Sequence, residues 1–175
     1  MTKMNLPTPY FLKAGYLMAN RDATLVRTVL GNCVAVAVFD RANRFGGMHH
    51  FVFPSTDQAD RATPQYGNVG LPALFRTMLD MGAERESLVA QIIGGAECPC
   101  FDDESLGIKN VQVAREVLKR LSVPVVSEDT GGERGRKVVY HTGTNETAIF
   151  KVDNLRDNDW FRPGTDLRFV YDARS

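Results

Sequence analysis

The stretch that most constrains this chain is Val34-Ala35-Val36-Ala37-Val38-Phe39. Six apolar residues in a row leave no polar face, so a strand made of them must be covered on both sides. It reads as a central, buried strand. Directly upstream, Gly31-Asn32 separates it from Leu25–Leu30, a second strand. Glycine accepts backbone angles that other residues avoid, and asparagine tolerates the left-handed region. The pair therefore reads as a tight turn or bulge. Cys33 stands just past this bend, where a side chain and nearby N–H groups can be presented together. Such N–H groups stabilise an oxyanion by typically ~3–4 kcal/mol per donor.

A thiol needs a base, because an unperturbed cysteine is only a few per cent thiolate at neutral pH. The candidates are His49 and His50, in Met48–Phe53, a third strand that ends at Pro54. Side chains alternate along a strand, so only one of the two can point at Cys33. His50 shares a face with Met48 and Val52; His49 shares one with Phe51 and Phe53. Periodicity does not choose between them. The bland alternative for Cys33 is a small buried hydrophobe.

The remaining elements follow in order. Residues 1–13, with Pro7 and Pro9, read as a loose arm, and Gly15–Met18 as a short strand. Ser55–Asn68 is a polar loop. Leu71, Leu74, Phe75, Met78 and Leu79 recur at helical spacing, with Pro72 in a first turn and Gly82 as the stop. Leu88–Ile93 is an apolar strand. Asn110 reads as the N-cap of a second helix whose apolar face is Ala114, Val117, Leu118 and Leu121. Val123–Val126, Lys137–His141 and Thr147–Val152 read as strands, the first two separated by a glycine-rich basic turn. A last strand is expected over Leu167–Tyr171. Strands interrupted by two helices argue for an α+β fold in which the helices cover sheet.

Composition excludes more than it suggests. Lys+Arg and Asp+Glu are both 21, so nothing marks a nucleic-acid surface. No apolar run reaches membrane-spanning length, and the first residues lack the apolar core of a signal peptide. A cytoplasmic protein without membrane insertion is expected. Cys98-Pro99-Cys100 invites a metal reading, but the spacing is one residue and no second cysteine pair exists. No metal and no cofactor are expected.

Taken together, Leu30-Gly31-Asn32-Cys33-Val34-Ala35-Val36, Asp40 and Gly46-Gly47-Met48-His49-His50-Phe51 resemble the CheD family of bacterial chemoreceptor glutamine deamidases. The resemblance continues through Met81-Gly82-Ala83, Gly94-Gly95-Ala96, Gly107-Ile108-Lys109-Asn110-Val111 and Glu128–Val138. It covers roughly Ala14 to Val152, and it divides the chain into an arm (1–13), a CheD-like domain (14–152) and a C-terminal extension (153–175) packed on the same domain. It implies layered mixed sheets related to the toxin-type glutamine deamidases. It also implies hydrolysis of chemoreceptor glutamines to glutamate, with methyl-accepting chemoreceptors as substrate and the CheC phosphatase as partner.

The family places its histidine seventeen residues beyond its cysteine, which selects His50. It orients that histidine with a threonine, which points to Thr28, five residues before Cys33; some members use six, where this chain has Arg27. The implied site is Cys33, His50 and Thr28, with Gly31 and Asn32 as the oxyanion turn. Asn32 stands where serine is common. A glutamine projecting from a receptor helix needs access, so a shallow groove between the Gly31-Asn32 bend and the Ser55–Asn68 loop is expected. The competing readings are a docking module for CheC and a thiol amidase acting on another protein.

Overall fold

The computed structural model describes residues 6–98, 105–164 and 167. In chain order these form β1 (Thr8–Phe11), β2 (Tyr16–Asn20), β3 (Thr24–Leu30), β4 (Val34–Asp40), β5 (Phe45–Phe51), α1 (Gly67–Asp80), β6 (Leu88–Gly94), α2 (Leu106–Arg120), β7 (Val125–Thr130), β8 (Gly135–His141) and β9 (Thr147–Val152). Four strands make one sheet in the order β1-β3-β8-β9; five make a second in the order β2-β5-β4-β6-β7. Both sheets are mixed: β1 runs parallel to β3 and β6 parallel to β7, with the other neighbours antiparallel.

β4 is the hub. All seven of its residues are buried, as its double-faced apolar run requires. Val34, Val36 and Val38 pack with Leu71, Leu74 and Met78 of α1 and with Val111, Ala114 and Val117 of α2. Ala35 and Ala37 face the other way, toward Val26 and Leu30 of β3 and Val138 and Tyr140 of β8. The fold is therefore α+β in three layers: helices, five-stranded sheet, four-stranded sheet. Each large aliphatic side chain buried in these layers contributes about 1.5–3 kcal/mol of transfer free energy. Small residues face the four-stranded sheet for a reason. A Cβ on Gly46 would come 2.4 Å from the Tyr140 hydroxyl, so that glycine in β5 makes room for the tyrosine.

Four expectations need correction. The arm contains a strand, because β1 lies along the edge of β3. Pro72 is inside α1 rather than in its first turn, because the helix already begins at Gly67. Asn110 is not a cap but sits one turn into α2, which starts at Leu106. The strand expected over Val123–Val126 is shifted to Val125–Thr130 by its pairing with β6. The stop at Gly82 is observed, with φ +93° and its N–H donating to the Leu79 carbonyl. The strand expected at Leu167–Tyr171 lies outside the described residues apart from Leu167.

One consequence of this topology positions the site. β3 belongs to the four-stranded sheet and β4 to the five-stranded one. The Gly31-Asn32-Cys33 bend is the place where the chain crosses from one sheet to the other.

Candidate active site

β3 alternates inward and outward. Val26, Thr28 and Leu30 are buried toward the second sheet, while Arg27 is exposed. A threonine thus stands on an apolar inner face, and Arg27, the residue six before Cys33, points away from it. Opposite, β5 carries His50, paired in register with Ala35 of β4. Cys33 lies two residues before Ala35, on the same face as His50. Diagonal neighbours of this kind are typically about 7–8 Å apart at the backbone and closer at the side chains.

The histidine ambiguity is resolved by the layers. His49 faces the helices: its Nε2 meets the Pro64 carbonyl oxygen at 2.6 Å and its ring stacks on Phe51 with centroids 5.3 Å apart. A Cβ on Gly70 of α1 would run into that ring. His50 faces the sheet-to-sheet layer, with Cys33. Its Nδ1 lies 2.8 Å from Thr28 Oγ1, which donates in turn to the Leu12 carbonyl at 2.8 Å. A threonine hydroxyl has one proton. With that proton on Leu12, Thr28 accepts from Nδ1–H, so Nδ1 carries the ring proton and Nε2 keeps its lone pair. Nε2 is buried without a hydrogen-bond partner. The bond also joins the two sheets, with threonine on one and histidine on the other.

The bend is held from three sides. Gly95 N–H donates to the Cys33 carbonyl at 2.7 Å and Ala96 N–H to the Gly31 carbonyl at 3.1 Å. Asn110, fully buried in α2, donates through Nδ2 to the carbonyls of Asn32 at 2.9 Å and Val52 at 2.8 Å. It clips the Cys33 bend to the end of the His50 strand. The signal that could have found it, in place of the cap reading, is an asparagine on the apolar stripe of a helix, four residues before Ala114. From the other side, Asn32 binds Phe161 of the C-terminal extension. Neither Gly31 nor Asn32 adopts a positive φ, so the bend does not use the left-handed region that the Gly-Asn pair suggested.

The expected shallow groove is closed. Cys33 is 0% and His50 3% exposed. Burial, joined by the nearby Asp159 carboxylate, pushes the thiol well up; burial, with His49 adding to it, pushes His50 down to about 3. In this state the pair is a neutral thiol and a neutral imidazole. The Ser55–Asn68 loop meets His49 through the Pro64 carbonyl, while its Tyr66 packs against the cluster that contains Cys33. Among the described residues no cluster of His, Cys, Asp or Glu has metal-binding geometry, and of Cys98-Pro99-Cys100 only Cys98 is described, buried. No helix is long and apolar enough to cross a membrane among these residues.

Comparison with known proteins gives a consistent answer. The family model described as CheD chemotactic sensory transduction matches residues 52–151, beginning two residues past His50. A protein of Methanococcus vannielii named "Probable chemoreceptor glutamine deamidase CheD" is 33% identical over 149 residues, covering 83% of this chain and 97% of that protein. A Rhodospirillum rubrum protein of the same name is 37% identical over 152 residues, covering 86% of this chain and 85% of its own. The crystal structure of the Bacillus licheniformis hypothetical protein YfiH overlays with a TM-score of 0.42 at 14% identity, covering 61% of this chain and 49% of that one. On the extent of the family match and the coverage of these relatives, the chain belongs to the CheD family.

Proposed function

We propose that this protein hydrolyses selected glutamine side chains of chemoreceptors to glutamate, with Cys33 as nucleophile, His50 as base and Thr28 as the residue that orients it. The observation that carries the reading is the Thr28–His50 bond, which fixes the imidazole with its lone pair on Nε2, on the strand face that His50 shares with Cys33. The relatives' names supply the substrate class.

The reaction then balances without a cofactor. His50 Nε2 takes the proton from Cys33 Sγ, and the thiolate attacks the carboxamide carbon. Backbone N–H groups at the Asn32-Cys33 bend hold the oxyanion. The imidazolium returns its proton to the departing amino group, and ammonia leaves with a thioester behind it. Water, deprotonated by Nε2, cleaves the thioester, giving glutamate and the free thiol. Thr28 acts through His50 by keeping the proton on Nδ1. The CheC phosphatase is included as a partner on the family resemblance, and a pull-down with the purified phosphatase tests it.

The decisive assay is ammonia release from a purified chemoreceptor cytoplasmic domain. Release by the wild-type chain and none by Cys33→Ser is the expected result; equal release by both would refute the nucleophile. The burial of Cys33 favours one second reading, a docking module with little catalysis. A Cys33→Ala variant that keeps full effect on receptor signalling would establish it.

A further inference from the structure

Residues 159–161 of the C-terminal extension lie on the bend that carries Cys33. Asn32 holds Phe161 by both ends of one residue: Nδ2 donates to the Phe161 carbonyl at 2.7 Å, and the Phe161 N–H donates to Oδ1 at 3.0 Å. Both residues are buried, so water does not compete for either bond. A carboxamide paired in this way does the work of a neighbouring strand. It reads main chain and is indifferent to the side chain it holds.

Gly31 supplies a second contact. A Cβ there would lie 2.5 Å from the Asp159 carbonyl oxygen and 2.8 Å from the Trp160 ring. With no positive φ at this position, a glycine is required for that close approach and not for backbone freedom. Phe161 joins the cluster that contains Cys33, Leu12, Leu30 and Val52. Asp159, 6% exposed, is paired with Arg156 at 3.2 Å.

We propose that residues 157–161 are a built-in occupant of the substrate groove, held main chain to side chain by Asn32, and that a polypeptide bearing the target glutamine must take their place. The kind of partner follows from the contact. It offers a main-chain N–H and C=O to Asn32 and lays its backbone flat against Gly31. While the segment is in place the thiol is sealed and uncharged, so the protein is silent until a substrate competes for the groove. That the displacing chain is a chemoreceptor rests on the reading of function above; that the segment gates the thiol does not.

The experiment uses the full chain and reads the thiol directly. Iodoacetamide labelling of Cys33 is followed by peptide mass in wild type, Gly31→Ala and Trp160→Ala, with circular dichroism to confirm folding. The added methyl of Gly31→Ala collides with the Asp159 backbone; Trp160→Ala removes the partly buried ring that lies on Gly31. Local opening makes a sealed group reactive in proportion to the population of the open form, so labelling rises roughly tenfold or more in both. Labelling within about twofold of wild type in the folded variants overturns the proposal. Should Gly31→Ala fail to fold, Trp160→Ala decides, because its ring is not in the interior.

Hydrogen exchange at the Phe161 amide supplies the second arm. Addition of a receptor cytoplasmic domain accelerates it if the segment is displaced; unchanged or slower exchange rejects displacement. Ammonia release separates the two ideas. Faster labelling with no ammonia from any variant keeps the gate and refutes the deamidase, whereas ammonia release with unaltered labelling does the reverse.

Discussion

His49 and His50 are neighbours in sequence and opposites in circumstance. Both are buried and both are held neutral, His49 pushed down to about 4 and His50 to about 3 by burial. Each even keeps one ring nitrogen without a partner. What differs is the layer each one faces. His49 is pinned between Pro64, Phe51 and the backbone of α1 at Gly70. His50 is held by Thr28 across the gap between two sheets, on the strand face that it shares with Cys33. An unpaired buried nitrogen thus does not by itself single out a candidate base; the group it shares a face with does.

The strongest way to break this comparison is substitution. His50→Ala should lose at least ~10²-fold in ammonia release, the usual effect of removing a general base. His49→Ala should retain activity per folded molecule but melt at a lower temperature, because it leaves a void beside α1. Reversed outcomes in paired activity and thermal-melt measurements would put the working histidine on the wrong face.

Acid tests the shared property. Both folded pKa values lie below the ordinary 6.5, so between them the unfolded chain binds protons that the folded chain refuses. Stability is therefore full above about pH 6.5 and falls as pH drops toward about 4, by on the order of 2 kcal/mol per histidine near pH 5. Urea midpoints at pH 7.5 and 5 check this. His49→Gln should remove about half of the loss, and an unchanged pH dependence in that variant would mean that His49 is not held neutral.

The smallest effect sharpens the role of Thr28. Thr28→Val keeps the shape but leaves Nδ1–H facing a methyl, and a drop of about tenfold in kcat is expected, near 1.4 kcal/mol. Thr28→Ser should restore most of it. A valine variant with unaltered kcat and pH profile would reduce Thr28 to packing.

Much of the architecture was legible because it rests on local pattern. The double-faced run of β4 demanded cover on both sides, and the stripes of α1 and α2 supplied one of the covers. The choice between the two histidines was not legible from period alone, since both faces of β5 are buried and both look apolar in sequence. Thr28 carried a readable signal: alternation with Val26 and Leu30 puts it inside and Arg27 outside. Asn110 and Phe161 were misread or missed for one physical reason. Their partners, Val52 and Asn32, lie 58 and 129 residues away, and no local propensity encodes a hydrogen bond of that span. Gly31 likewise looked like a turn glycine because the backbone it accommodates arrives from the far end of the chain.

The Thr28–His50 bond has its donor on one sheet and its acceptor on the other. Its length is therefore set by whatever keeps the sheets apart, which is the layer of Ala35, Ala37, Val138 and Tyr140 between them. That layer behaves as a spacer, as a shim does between two plates. A hydrogen bond weakens over a few tenths of an ångström, while a packed interior transmits a change of one methylene as a shift of similar size. Substitutions in this layer would register as altered acidity of an imidazole before they registered as unfolding.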